Sequence, residues 1–185
     1  MQRLLATFAL CVLTTACDEQ LGSGVPQPQT SHAIRRSRHP PDQARLDILA
    51  QVPGFGGLYF DRYGNLHAFL VDLDQTELAK AKLEPLMRSR PPGYSAERVS
   101  SPRVIIHQGR YDYAQLIGFR ELATRTLAGK PGTVSFGIDH QRNRAFIGVR
   151  NVETAERVRA ALDSLDVPLD AFTIKAGVSA EFGGR

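Results

Sequence analysis

The chain has 185 residues, two cysteines and a formal net charge of +4, with 23 Lys and Arg side chains set among 19 Asp and Glu. Interleaved charge of this size argues for solubility and against a nucleic-acid surface, which would gather its basic residues on one face. One of the two cysteines, Cys11, lies in an apolar leader, so the mature chain has no internal disulfide and its fold must stand on its core.

Arg3 is followed by an uncharged, mostly apolar run from Leu4 to Leu13 and then by Thr14-Thr15-Ala16 before Cys17. The run is too short to cross a bilayer as a permanent helix, and small residues at its end suit a signal peptidase. Residues 1–16 therefore read as an export signal. The placement of Cys17 resembles the lipobox of bacterial lipoproteins, with Thr14 where that family usually has leucine and Leu13 one place further back. The resemblance implies lipidation of Cys17 and anchorage to a membrane, facing the periplasm or the exterior. An ordinary secretory signal cut after Ala16 is the alternative.

Residues 17–41 are rich in Gly, Ser, Gln and Pro and hold no apolar run, the composition of a tether. His32, Arg35, Arg36, Arg38 and His39 make its distal part basic, either as a solvated linker or as a contact for anionic headgroups. Residues 42–178 read as a single α+β domain, a span of about 140 residues that can bury most of its apolar surface without staples, and residues 179–185 as a tail.

The domain opens with a short helix from Pro41-Asp42, carrying Leu46, Ile48 and Leu49 and stopped by Val52-Pro53-Gly54. Leu58–Asp61 and Leu66–Val71 read as strands around Arg62-Tyr63-Gly64-Asn65, where Gly64 and Asn65 tolerate positive φ. Asp74 with Glu77 gives a capping-box-like start to a helix through Leu78, Ala79 and Leu83, which Pro85 should end or kink. Arg103–Gln108 is a further strand. Asp112 caps an amphipathic helix with Leu116, Phe119, Ala123 and Leu127 on one face, ended by Gly129-Lys130-Pro131-Gly132.

Phe136–Asp139, the turn His140–Asn143 and Arg144–Val149 then repeat the hairpin, with Asp139 and Asn143 where Asp61 and Asn65 stood. A helix from Asn151 with Val152, Ala155, Val158, Leu162 and Leu165 at helical spacing follows, and Ala171–Lys175 supplies a last strand. The pattern predicts an α+β fold of duplicated strand-strand-helix-strand units forming an antiparallel sheet with helices on one side.

Three runs carry a family resemblance: Val52-Pro53-Gly54-Phe55-Gly56-Gly57-Leu58-Tyr59-Phe60-Asp61, Gly109-Arg110-Tyr111-Asp112-Tyr113-Ala114-Gln115-Leu116, and Gly137-Ile138-Asp139 with Asn143-Arg144 and Ile147-Gly148-Val149. Together, over most of residues 45–176, the chain resembles the N-terminal pro-region of secreted bacterial proteins that carry a chymotrypsin-like or streptogrisin-like serine protease domain downstream. Such pro-regions template the folding of their protease and inhibit it. The resemblance implies a serine protease as the possible protein partner.

No Gly-x-Ser-x-Gly elbow, His-Glu-x-x-His, cysteine pair or phosphate-cradling glycine loop is present in the sequence, so no cofactor is expected. Gly54-Phe55-Gly56-Gly57 precedes a strand and suits close backbone packing rather than a dinucleotide. Asp61 and Asp139 suit acceptance of turn amides, and their loops offer too few oxygens for calcium, so no metal is expected.

His67, His107 and His140 read as structural histidines, since no spacing marks a nucleophile for any of them. Phe55, Tyr59, Tyr63, Tyr111 and Tyr113 form a partner-binding patch if they share an exposed face, and core packing otherwise. The leading expectation is an exported, lipid-anchored, non-enzymatic protein-binding domain, pro-region-like toward a serine protease. The alternatives are a small envelope hydrolase or ligand-binding enzyme using His67 or His140, and a structural envelope lipoprotein.

Overall fold

Alternation along Leu66-His67-Ala68-Phe69-Leu70 decides where the core lies: Leu66, Ala68 and Leu70 are buried while His67 and Phe69, on the opposite face, are half-buried. In this computed structural model residues 40–88 and 102–179 are described. The expected signal 1–16, the lipidation site Cys17, the tether through residue 39 and the tail from residue 180 lie outside the described residues.

Helix α1 (Pro40–Leu49) leads into a hairpin of β1 (Phe55–Phe60) and β2 (Leu66–Leu70). A 3₁₀ turn, Leu73–Gln75, opens α2 (Thr76–Arg88), and β3 (Val104–Gln108) follows. After α3 (Tyr113–Leu127) the hairpin recurs as β4 (Thr133–Asp139) and β5 (Arg144–Val149), then α4 (Val152–Asp163), a 3₁₀ turn Leu169–Ala171 and β6 (Phe172–Lys175). The fold is α+β, and the described residues form four helices and two three-stranded sheets, ordered β1-β2-β3 and β4-β5-β6.

The expected antiparallel pairing needs correction. There are two sheets, and each is mixed: β1 runs antiparallel to β2, and β4 to β5, while β3 lies parallel to β2 and β6 parallel to β5. The cause is the helix between the last two strands of each set, which carries the chain back to the end where the previous strand began.

Two local expectations also change. The carboxylate that caps the turn into α2 belongs to Asp72, which accepts from the Asp74 N–H at 2.9 Å. Helix α2 also runs past Pro85 to Arg88. The bond lost at Pro85 lies in the last turns, where Glu84, Pro85 and Leu86 are exposed and water can serve the freed carbonyl. By contrast α3 starts as its sequence suggests, with a full capping box between Asp112 and Gln115.

One core cluster joins both sheets. Helix α3 packs against β1 of the first sheet and against β4 and β5 of the second. Its buried Tyr113, Leu116, Ala123 and Leu127 meet the inward residues Leu66, Ala68 and Leu70 and their counterparts Ala145, Ile147 and Val149 in that cluster. On α4 the stripe is shorter than its spacing suggested: Ala155, Val158 and Leu162 are buried, while Val152 is 65% exposed. No helix among the described residues is long and apolar enough to cross a membrane.

Candidate functional site

The strand register brings four rings together on the face of the first sheet opposite Leu66, Ala68 and Leu70. Tyr59 on β1 pairs with His67 on β2, and Phe69 on β2 pairs with His107 on β3. Tyr59 stacks on His67 with centroids 4.7 Å apart, His67 lies parallel to His107 and edge to edge with it at 5.0 Å, His107 leans on Phe69 at 5.3 Å, and Phe69 returns to Tyr59 at 6.5 Å. The rings close a square, and each is half-buried.

One edge of the square is also a hydrogen bond. His67 Nδ1 lies 2.7 Å from His107 Nε2, and His67 Nε2 lies 3.2 Å from Asp61 Oδ2. Asp61 is fixed by its own turn: its carboxylate accepts from the N–H groups of Tyr63 and Asn65 and from Asn65 Nδ2. Desolvation works upward on this carboxyl, but the donors from Asn65, His67 and Tyr63 outweigh it and hold it at about 2. Burial and then Asp61 raise the Tyr59 phenol, and burial and then His67 lower the His107 imidazole.

An ionised Asp61 accepts and cannot donate, so His67 carries its proton on Nε2, and in the neutral ring Nδ1 becomes an acceptor. The proton between the two histidines then belongs to His107 Nε2. Both nitrogens of His67 are engaged, one by an acid and the other by a second imidazole. Among the described residues no group of three or more His, Cys, Asp or Glu side chains could hold a metal ion.

His140 lies elsewhere, in the β4–β5 turn, stacked on Tyr113 with centroids 6.1 Å apart. Burial and then the Arg45 charge lower its imidazole to about 4, and its buried Nδ1 has no hydrogen-bond partner among the described residues. The Tyr113 hydroxyl donates to Asp42 Oδ1 at 2.8 Å and Arg120 donates to Asp42 Oδ2 at 2.8 Å, which pins α1 to α3. Burial and that hydrogen bond raise the Tyr113 phenol.

The two hairpins differ more than their sequences suggest. Asp61 and Asn65 enclose a three-residue turn with positive φ at Gly64, whereas the paired Asp139 and Arg144 enclose four residues with positive φ at Asn143. Asp139 accepts from the Gln141 and Arg142 N–H groups, so both aspartates shape their turns as expected. The asparagines diverge. Asn65 Oδ1 accepts from the Arg103 N–H at the approach to β3. Asn143 is 1% exposed and reaches the other hairpin: Nδ2 donates to the carbonyls of Gly56 and Tyr111, and Oδ1 accepts from the N–H groups of Arg110 and Tyr111.

The five candidate aromatics separate. Phe55 and Tyr113 are fully buried and Tyr111 is 7% exposed, so these three belong to the core. Tyr111 is held there by its hydroxyl bond to Asp170 and by the Arg110 and Arg144 guanidiniums over its ring. Tyr59 joins the ring square, and Tyr63 remains exposed in its turn beneath Arg62. Sequence reasoning left out Phe69 and kept His67 and His107 apart, although the parallel β2–β3 register sets them on one face. The glycines of the β1 run pack closely as expected: a Cβ on Gly56 would lie 2.6 Å from Asn143 Nδ2 and from the Tyr111 carbonyl oxygen. Comparison of the chain with models of known protein families, with characterised proteins and with solved structures gives no match.

Proposed function

We propose that this chain is an exported, lipid-anchored protein-binding domain without a catalytic centre, acting toward a serine protease as pro-regions do. The observation that carries the reading is the closed square of Tyr59, His67, His107 and Phe69. It sets stacked, half-buried rings side by side on strands whose other face is committed to the core, and rigid aromatic groups of this kind anchor interfaces at small entropic cost. The lipobox-like Cys17 and the pro-region-like runs around Gly56, Tyr111 and Ile147 supply the cellular setting and the class of partner.

The test is inhibition of chymotrypsin-like enzymes by the purified chain, together with capture from an envelope fraction. Inhibition by the native chain that weakens at least tenfold in Tyr59→Ala, with folding unchanged, is the expected result. Absence of inhibition, with only abundant non-proteolytic proteins captured, overturns the reading. Mass spectrometry of the mature N-terminus should find acyl chains on Cys17.

The contact of Asp61 with His67 favours a second reading, a hydrolase with an acid-oriented histidine base. A nucleophile would then have to stand at His67 Nδ1, and that position is occupied by His107. Turnover of a chromogenic ester that disappears in His67→Gln would revive it.

A further inference from the structure

An N–H···N bond between two imidazoles needs one ring to donate and the other to accept. The pair His67 and His107 satisfies this when neutral, with His107 Nε2–H donating to His67 Nδ1, and also after one proton is added, with His67 Nδ1–H donating to His107 Nε2. The other nitrogen of His67 faces the Asp61 carboxylate at 3.2 Å, so that ring has a counter-charge beside it and His107 has none from this acid. A second proton would place two donors and two positive rings edge to edge across 2.7 Å, on rings within 5° of parallel. We propose that His67 and His107 form a one-proton couple that makes this face of the first sheet acid-responsive: the contact holds while the pair carries at most one added proton, and the second proton breaks it.

Breaking it frees the His107 ring from its edge contact with His67 and removes one side of the square, because Phe69 and Tyr59 each touch one member of the couple. His107 lies on β3 and His67 on β2, so the change is felt between parallel strands joined through α2. Among the described residues two ionisable groups share the couple's surroundings: Asp61 in the β1–β2 turn and Tyr59 on β1. Arg62 of that turn is engaged with the Tyr63 ring, and Arg103 before β3 meets Asn65 through its backbone. From α2, which packs on β3, Glu77, Lys80, Lys82 and Glu84 are exposed, away from the buried Ala79 and Leu83. The lowering of the His107 imidazole by burial and by His67 accords with the order of protonation. The inference concerns the fold itself and does not require the partner reading.

The experiment is a pH titration of the ¹⁵N-labelled full chain, following histidine ring nitrogens and Tyr59 ring protons from pH 8 to pH 4. At the alkaline end both His67 and His107 should carry their proton on Nε2. On acidification His107 should titrate last of the pair, below the ordinary 6.5, and the Tyr59 resonances should move with it. In His67→Gln the His107 midpoint should rise. A His107 midpoint at or above 6.5 in the unaltered chain overturns the couple, as does a Tyr59 signal indifferent to it. Should His67→Gln not fold, the titration of the native chain decides alone, since coupled groups take up their protons in two separated steps.

Discussion

Asn143, in the β4–β5 turn, and Gly56, on β1, lie 87 positions apart, and the Asn143 side-chain amide donates to the Gly56 carbonyl at 2.8 Å. With the three bonds to Arg110 and Tyr111, one buried side chain satisfies two carbonyls and two N–H groups in two other segments.

Replacing Asn143 by Ala should therefore cost about 2–4 kcal/mol, the range expected when several buried backbone groups lose their partners together. Asn143→Asp should not rescue it, because a carboxylate repels the two carbonyls to which the amide donates. Urea denaturation at neutral pH measures both. A loss under about 1 kcal/mol for either would show that water replaces the side chain without penalty.

Gly56 and Gly118 make opposite predictions for the same substitution. A Cβ on Gly56 meets the Asn143 amide and a backbone carbonyl at 2.6 Å, whereas one on Gly118, within α3, meets nothing within 4 Å. Gly56→Ala should destabilise the chain, and Gly118→Ala should raise its stability by about 0.5–1 kcal/mol through helix propensity. Thermal unfolding of the two variants side by side is the measurement.

Leu116 is fully buried on the helix that touches both sheets. Leu116→Ala should cost about 2–5 kcal/mol, combining lost transfer energy with the cavity left behind. Loss of a single cooperative transition in this variant, with two separate melts, would show that the sheets do not share their core.

Acid should weaken the fold through His140. Its folded imidazole is lowered to about 4 from an ordinary 6.5, so between those values the unfolded chain binds the proton and the folded chain does not. Stability is fully present above pH 6.5 and falls as pH drops toward 4, by up to about 3 kcal/mol from this group. His140→Phe should flatten that limb of a stability–pH profile, and a profile unchanged by the substitution would contradict the assignment. Below it a second limb belongs to Asp61, whose contribution is present above the usual 3.8 and is lost as pH falls through about 2.

Element positions were legible in this sequence because period and punctuation agree: Asp112 with Gln115 starts a helix, and Leu66, Ala68 and Leu70 alternate along a strand. Pairing direction was not legible, since a helix between two strands is compatible with either orientation until its packing is known. Asn143 matched Asn65 in spacing, and only the fourth residue of its turn turned it toward the other hairpin. Phe55, Tyr111 and Tyr113 carry no local mark that separates core rings from Tyr59. His67 and His107, 40 positions apart, needed the β2–β3 register before they could be seen as one unit.

Asp42 is the earliest buried polar side chain described, and through Tyr113 and Arg120 it moors α1 to α3. A pull applied from the N-terminal side of Pro40 therefore reaches the body of the protein first at that mooring, which loads as a shear between two helices before any strand is stressed. Force spectroscopy from that end should record an early yielding event that Asp42→Asn weakens, leaving the sheets to resist afterwards.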